Sequence, residues 1–296
     1  MLKKREIQMR DPFVLPVEAT GEYYLYGTTD KNCWVGPFVG FDVYKSKDLE
    51  NWEGPFPAFR LDDDFWADRN FWAPEVFNYQ GKYYMFASFK AEGVCRGTQI
   101  LAAEDPKGPF VPHSEGPITP KEWECLDGTF YVDELRQPWM IFCHEWVQAV
   151  DGEIHAIKLT DNLRKAAGDP TLLFRASEAK WAYARKREFN GDEKDAYVTD
   201  GPFIYKTKKG ELLMLWSSIG KQGYAMGVAH AKTGNILGPW IQESEPIYAK
   251  DGGHGMLFKT FDNKLMMTIH TPNKTPHERP VFIEVVEVGG ILQVQK

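Results

Sequence analysis

Four acidic side chains and one histidine recur along the chain at intervals of roughly 50–75 residues, a blade-sized period. They are Asp11, Glu75, Asp127, Asp200 and His254. Each stands at the start of a β-rich run, and each has a Gly or Pro next to it in the sequence. If they hold equivalent places on the innermost strands of a propeller, they meet at one mouth of its central channel. The spacing therefore predicts one pocket built by five repeats.

The crowding of four carboxylic acids predicts the chemistry of that pocket. Carboxylates held close together repel each other, and protonation of one of them relieves the repulsion. The outcome is an ionised carboxylate beside a protonated acid, which is the pair that glycoside hydrolysis uses. In an inverting enzyme the two carboxyl groups are about 6.5–9.5 Å apart, which leaves room for a water molecule.

The elements that must position these acids are short strands and turns. Residues 199–206 (TDGPFIYK) are followed by a turn at Lys209-Gly210 and by the apolar run 212–216 (LLMLW). The same order of polar residue, break, strand, turn and strand recurs in the other copies, which predicts an all-β, five-bladed β-propeller with a single domain over residues 1–296. Pro12 predicts extended backbone at Asp11, since a residue before proline is biased away from the helical region.

The longest irregular stretch, residues 163–198, is expected to cross one face of the disc. Its basic cluster, residues 185–187 (RKR), is interpreted as a solvated loop because acidic residues follow it closely.

Composition narrows the class of partner. The chain has 35 basic and 42 acidic residues, a net charge of −7 and a pI near 5.6. Nucleic-acid and anionic-membrane partners need concentrated Lys and Arg, so we expect neither. Ten tryptophans are more than packing between blades requires, and indole rings stack on the flat faces of sugars. An oligo- or polysaccharide is the expected partner.

Neither the cysteines nor the N-terminus points to metal binding or export. Cys33, Cys95, Cys125 and Cys143 show no CxxC spacing and are interpreted as free thiols. The charged start of the chain has no apolar run after it, so no signal peptide is recognised. The expected location is cytoplasmic unless a signal was trimmed.

Five phrases of the sequence, in this order and over nearly the whole chain, resemble glycoside hydrolase family 43, the five-bladed propeller glycosidases that act on arabinose- and xylose-containing polymers. They are Arg10-Asp11-Pro12, residues 72–76 (WAPEV), residues 127–133 (DGTFYVD), residues 200–203 (DGPF) and Gly253-His254-Gly255. The resemblance implies an α-L-arabinofuranosidase or β-xylosidase of plant polysaccharides with an inverting mechanism.

The same resemblance implies a role for each carboxylate. Asp11 matches the general base and Asp127 the residue that orients the acid and raises its pKa. The family's general acid is a Glu in a Glu-Gly-Pro phrase, whereas this chain has Asp200, whose carboxyl is one bond, about 1.5 Å, shorter in reach. Three alternatives stay open. Asp200 is the acid with adjusted geometry, Glu145 supplies the proton, or activity is weak or altered.

Other residues are expected to bind substrate or metal. The resemblance implies a channel histidine at His254, tied through water to a cation such as Ca²⁺; a hydrogen-bonded histidine without metal is the alternative. Glu75, Trp72, His144 and Arg279 are the remaining candidates for substrate binding, and for Arg279 an ordinary surface position is the alternative.

Two functions other than catalysis are compatible with a propeller. In a carbohydrate-binding propeller the acids would only bind sugar hydroxyls, and the Glu-to-Asp departure at position 200 favours that reading. A protein-interaction scaffold is disfavoured, because the repeats lack the Gly-His and Trp-Asp signature and a scaffold gains nothing from repeated inner acids.

Overall fold

The structure, a computed structural model that describes residues 1–295, is an all-β, five-bladed propeller. Each blade is an antiparallel sheet, and the innermost strands of the five blades contact one another in a closed ring. The predicted fold class is confirmed. That residues 1–296 form one domain stays a prediction.

The strands follow in chain order. Blade 1 comprises β1 (Leu2–Lys3), β2 (Arg10–Val17), β3 (Glu22–Thr28), β4 (Gly40–Ser46) and β5 (Asn51–Arg60), and blade 2 comprises β6 (Arg69–Tyr79), β7 (Lys82–Ala91), β8 (Val94–Ala103) and β9 (Val111–Pro112). Blade 3 comprises β10 (Cys125–Val132), β11 (Pro138–His144), β12 (Glu153–Lys158) and β13 (Thr171–Arg175), and a separate hairpin follows with β14 (Arg185–Phe189) and β15 (Asp192–Ala196). Blade 4 comprises β16 (Asp200–Lys206), β17 (Leu212–Gly220), β18 (Gly223–Ala231) and β19 (Ile241–Gln242), and blade 5 comprises β20 (Gly253–Lys259), β21 (Leu265–Thr271), β22 (Arg279–Val288) and β23 (Ile291–Val294).

Helical structure is limited to single turns. There are 3₁₀ turns at Lys4–Glu6 and Ala176–Glu178, and α1 (Trp146–Ala149) follows the second strand of blade 3. Within residues 1–295, no helix has the length and apolar character that crossing a membrane would require.

Aromatic side chains hold neighbouring blades together. Trp52 of blade 1 is fully buried, and its ring centroid lies 6.0 Å from that of Phe282 of blade 5. Phe110, after the outer turn of blade 2, packs edge-on at 6.4 Å against Tyr26 of blade 1. Such aromatic contacts join blade 1 to both of its neighbours.

Every innermost strand carries a β-bulge near its start, and the bulge defines which residues are equivalent. The residue before the bulge pairs with the second strand: Arg10 with Thr28, Trp72 with Ser88, Leu126 with Cys143, Asp200 with Ser217 and Gly253 with His270. The next residue has a positive φ in all five blades: Asp11 (53°), Ala73 (48°), Asp127 (57°), Gly201 (49°) and His254 (46°).

This register corrects two expectations. Asp11, Asp127 and His254 are equivalent as predicted, but Asp200 lies one residue before that position and Glu75 two residues beyond it. The extended backbone predicted at Asp11 is also wrong, because its φ lies in the left-handed region. The bulge turns the N–H group of Asp11 toward an acceptor on another blade, and that hydrogen bond offsets the cost of positive φ.

Candidate active site

A cavity of about 540 Å³ opens where the starts of the innermost strands meet. It brings together six of the nine predicted site residues: Asp11, Trp72, Asp127, Glu145, Asp200 and His254. Its other walls come from blade strands, loops, α1 and the hairpin, and include Arg10, Cys33, Trp34, Leu126, Trp146, Arg185, Val198, Ile219, Tyr224, Asn273 and Thr275.

Asp11 lies at the base of the cavity with both oxygens engaged. Thr28 donates a hydrogen bond of 2.6 Å to Oδ2, and Nδ1 of His254 lies 3.3 Å from Oδ1. Burial alone would raise the pKa of Asp11, but the attraction of His254 and of the Arg10 guanidinium outweighs it and holds that pKa below its ordinary value. Asp11 is therefore ionised at neutral pH.

The backbone N–H of Asp11 donates to Nδ1 of His270 at 3.1 Å. That ring nitrogen must be unprotonated, and Nε2 faces Asn273 Oδ1 at 3.3 Å. Burial, together with the nearby Arg10, lowers the pKa of His270 to about 3. His270 is thus a neutral acceptor that holds the backbone of Asp11.

Asp127 bridges two blades. Its own N–H donates to Ser88 Oγ at 2.9 Å, and its Oδ2 accepts the Gly201 N–H at 3.0 Å. Burial and repulsion from Asp200 and Asp11 raise the pKa of Asp127 well above its ordinary value. Because Gly201 follows Asp200 directly, this bond couples Asp127 to the backbone that carries Asp200.

Asp200 is held by one hydrogen bond from Tyr224, whose hydroxyl lies 3.0 Å from Oδ2. Burial raises the pKa of Asp200 to about 7, the Tyr224 hydrogen bond opposes that rise, and repulsion from Asp11 and Glu145 adds to it. Asp11 and Asp200 thus line one cavity with pKa values shifted in opposite directions. Tyr224 was not predicted from the sequence, because it lies on another strand and belongs to no acidic phrase.

Glu145 also reaches the cavity, but it is engaged by a cation. It forms an ion pair with Arg96, whose guanidinium lies 4.1 Å from the ring centroid of Trp72. Burial raises the pKa of Glu145, and the Arg96 charge opposes that shift. The Trp72 indole donates to the Cys33 carbonyl at 2.8 Å, so this wall of the cavity is tied to blade 1.

An aromatic rim that sequence reasoning missed is built around Trp34. This side chain is 50% exposed, packs edge-on at 5.1 Å against Trp72 and lies 5.1 Å from the Arg10 guanidinium. Its indole N–H donates to Thr275 Oγ1 at 3.0 Å. An exposed indole held in this way offers a platform for a sugar ring. The excess of tryptophan was the only sequence signal for it.

The basic cluster at residues 185–187 is solvent-exposed as expected, but it lies on a strand and not in a loop. It forms strand β14 of the hairpin, where Arg185 lines the cavity and the Arg187 guanidinium lies 4.6 Å from the Trp146 ring. The hairpin therefore covers one side of the opening.

Comparisons with known proteins identify the scaffold. The model of the family described as "Glycosyl hydrolases family 43" matches residues 6–289. The chain belongs to glycoside hydrolase family 43. A crystal structure of an endo-arabinase from Bacteroides thetaiotaomicron superposes with a TM-score of 0.89 at 43% identity, over 98% of each chain.

Two further relatives are more distant. The extracellular exo-α-(1→5)-L-arabinofuranosidase ArbA of Cellvibrio japonicus is 24% identical over 275 residues, covering 84% of this chain and 71% of the relative. An endo-1,4-β-xylanase structure from Bacteroides thetaiotaomicron has a TM-score of 0.77 at 22% identity, covers 99% of this chain and 96% of that one, and supports the fold alone. Family membership makes the chain a glycosidase whose substrate is a carbohydrate.

Three predicted site residues of this family 43 chain lie away from the cavity. Glu75 is buried two residues beyond the positive-φ position of its strand, and burial raises its pKa to about 8. His144 contacts Glu153 and Gln148 instead. Arg279 donates to the carbonyls of Arg5, Pro276 and Glu278 at the surface, which is the alternative left open for it.

The position of His254 decides what it offers a cation. Its Nδ1 faces Asp11 at 3.3 Å and Asp127 Oδ2 at 3.7 Å, and its ring covers Gly201. Within residues 1–295, these side chains are not a set of three whose ligand atoms all converge. Calcium requires six to eight oxygen ligands, so the protein atoms here do not fit a directly bound Ca²⁺. Calcium near His254 stays a prediction, and no step below uses it.

Proposed function

We propose that this chain hydrolyses α-L-arabinofuranosyl linkages in arabinose-containing glycans by an inverting, single-displacement mechanism. The observation that carries the proposal is the placement of Asp11 and Asp200 in one cavity with opposite environments. Asp11 is surrounded by donors and cations that keep it ionised, whereas Asp200 is buried among acids that keep a proton on it. A base and an acid of this kind are what inversion requires.

Asp11 acts as the general base. Thr28 and the His270-bound backbone fix the carboxylate, so that it can take a proton from a water molecule as that water attacks the anomeric carbon. The Arg10 charge, held by Glu278 at 2.8 Å and by Asn273 at 2.8 Å, keeps Asp11 ionised between turnovers.

Asp200 acts as the general acid and gives its proton to the leaving oxygen. The bulge places Asp200 one residue earlier on its strand than Asp11 on its own, and both carboxyls line the cavity. Glu145 is the weaker candidate, since its carboxylate already accepts from Arg96. Asp127 orients the acid through the Gly201 N–H.

Arabinose is favoured over xylose by the relatives. The endo-arabinase structure shares 43% identity with the chain, and ArbA is an exo-acting arabinofuranosidase. β-Xylosides are the second substrate class, since other relatives are named for both sugars. The hairpin beside the opening narrows access to the cavity, and its Arg185 would meet sugars bound next to the scissile bond.

The roles of Asp11 as base and Asp200 as acid can be tested with single variants on substrates with poor and good leaving groups. We expect Asp11→Asn to lower kcat about 10²–10⁴-fold on every arabinoside, because each needs an activated water. Asp200→Asn should cause a similar loss on arabino-oligosaccharides but a much smaller one on 4-nitrophenyl α-L-arabinofuranoside, whose leaving group needs little protonation. Glu145→Gln is the matched control and should not show this dependence.

Several outcomes would overturn the proposal. If the leaving-group dependence follows Glu145→Gln, the acid is Glu145. A first-formed product with retained anomeric configuration in proton NMR excludes inversion. If wild type shows no turnover above the Asp11→Asn background on arabinosides or xylosides, the cavity only binds carbohydrate.

The pH profile of kcat/KM provides a second check. Catalysis needs Asp200 protonated, and its pKa is raised to about 7, so activity should fall as pH rises through about 7. It also needs Asp11 ionised, and because the pKa of Asp11 is lowered, the acid limb should lie below the ordinary aspartate range. An alkaline limb that stays in place in Asp200→Asn would contradict the assignment.

A further inference from the structure

Two histidines and a glutamate converge on the second and third strands of blade 3, and none of them lines the catalytic cavity. Nδ1 of His144 lies 3.0 Å and Nε2 of His155 lies 2.9 Å from the same oxygen, Oε2 of Glu153. The three ligand atoms all lie within 4.8 Å of one another. The side chains are largely buried, with exposed fractions of 12%, 6% and 15%.

The hydrogen-bond network determines which nitrogen of His144 carries a proton. Gln148 is oriented by two backbone groups, since its Oε1 accepts the Glu124 N–H at 2.8 Å and its Nε2 donates to the Glu122 carbonyl at 2.9 Å. Nε2 of His144 faces that Oε1 at 2.8 Å and must therefore donate to it. A neutral His144 then turns the lone pair of Nδ1 toward the Glu153 carboxylate.

The Nδ1 lone pair of a neutral His144 and the Glu153 carboxylate lie 3.0 Å apart, and they repel each other unless a proton or a metal ion lies between them. The Glu153 carboxylate is oriented for this by Arg175, which donates to the other oxygen, Oε1, at 2.8 Å and leaves Oε2 to the two rings. On His155, Nδ1 has no hydrogen-bond partner among the described residues, so no neighbour fixes its tautomer and Nε2 is free to present a lone pair.

We propose that His144, His155 and Glu153 bind a divalent transition-metal ion of the zinc type. Two imidazole nitrogens and one carboxylate oxygen are ligands that Zn²⁺ takes at about 2.0–2.2 Å, which places tetrahedral ligands about 3.3 Å apart. The observed separations of 2.9 and 3.0 Å need to widen by only a few tenths of an ångström. A hydrogen bond from the second nitrogen of a ligating histidine to an oxygen, as His144 makes to Gln148, is the usual outer support of such a site.

The surroundings indicate a structural ion rather than a catalytic one. Trp123 stacks on His144 at 4.4 Å and packs edge-on against His155 at 5.0 Å, so an indole covers both rings. His144 directly precedes Glu145 and α1, which contribute Glu145 and Trp146 to the catalytic cavity. A metal ion bound here would hold in place the segment that contributes Glu145 and Trp146 to the wall of the cavity.

Metal titration of the full chain, after treatment with a chelator, tests the site. We expect one equivalent of Zn²⁺ in calorimetry, and one equivalent of Co²⁺ with visible absorption typical of a four- or five-coordinate site with nitrogen and oxygen ligands. His155→Gln and Glu153→Gln should abolish this binding, and Gln148→Ala should weaken it about 10–100-fold. His230→Gln is the matched control, because His230 also pairs with a glutamate, Glu243, but has no third ligand.

Three results would overturn the proposal. Binding that is unchanged in both ligand variants, or that is lost in His254→Gln instead, places the ion elsewhere. No saturable uptake by wild type means that a proton on His144 holds the network together. If the ligand variants fail to fold, Gln148→Ala still decides, since Gln148 is exposed and its loss should lower metal affinity and remove the metal-induced rise in Tm.

Discussion

The junctions between blades are built alike in four places and differently in the fifth. In four of them, a buried side chain at the end of one blade's second strand accepts the N–H of the positive-φ residue in the next blade. Thr28 accepts from Ala73, Ser88 from Asp127, Ser217 from His254 and His270 from Asp11. Between blades 3 and 4 that position is Cys143, a poor acceptor, and the Gly201 N–H donates to Asp127 instead.

The difference shows how a repeat acquires a catalytic function. At four junctions the acceptor is a structural hydroxyl or imidazole, while at the fifth the same backbone donor is bound by a carboxylate of the cavity. Cys143 is fully buried and its thiol is a weak acceptor, and the Gly201 N–H donates to Asp127 at 3.0 Å. The position of Asp200 is thereby tied to Asp127 rather than to a neighbouring strand.

Removing the carboxylate of Asp127 at the exceptional junction, the one between blades 3 and 4, should have the largest effect on activity and stability. We expect Asp127→Ala to lower kcat about 10²–10⁴-fold, and to destabilise the protein by about 1–3 kcal/mol because the buried Gly201 N–H loses its acceptor. Asp127→Asn separates the two contributions. Its amide oxygen can still accept from Gly201, so the free energy of unfolding should stay near that of wild type while kcat falls. Kinetics and urea denaturation measure both, and an equal stability loss in the two variants would refute the bridging role.

Converting the exceptional junction into an ordinary one should have a smaller effect. Cys143→Ser places a hydroxyl where the other junctions have Thr28, Ser88 and Ser217, and it should compete with Asp127 for the Gly201 N–H. Loss of one hydrogen bond, about 1.4 kcal/mol, corresponds to about tenfold in kcat, and we expect no loss of Tm. Cys143→Ala is the control, since it removes sulfur without adding an acceptor. If both variants lower kcat equally, packing rather than competition explains the loss.

A feature of this arrangement was predictable when the residues that form it are close together in the sequence. The repeated phrase was sufficient for the five blades and for the equivalence of Asp11, Asp127 and His254, because the bulge, the strand and the turn are local. The one-residue offset of Asp200 was not predictable, since nothing in the phrase Asp200-Gly201-Pro202 shows which residue takes the positive φ. In blade 2 Ala73 takes that place, and Glu75, the only acid nearby, was wrongly aligned with Asp11.

Contacts between distant parts of the chain account for the rest. Tyr224, which binds Asp200, and Arg96, which engages Glu145, lie on other strands and carry no motif. Both His144 and Glu145 were candidates for the site, and strand alternation alone does not show which of two successive side chains faces the cavity. The turn into α1 sends Glu145 to the cavity and leaves His144 with Glu153.

The ordinary junctions offer the smallest and most specific test. Ser217→Ala leaves the His254 N–H unpaired, and Ser88→Ala leaves the Asp127 N–H unpaired, so each should cost about 1–3 kcal/mol of stability in thermal or urea unfolding. Their kinetics should differ. Ser217 holds His254, which transfers no proton in the proposed mechanism and is only one of the groups that keep Asp11 ionised, so kcat at neutral pH should fall little. Ser88 holds the residue that orients Asp200, so kcat should fall although the two substitutions are chemically the same. Equal kinetic effects would mean that catalysis depends on the ring of junctions as a whole and not on the path through Asp127.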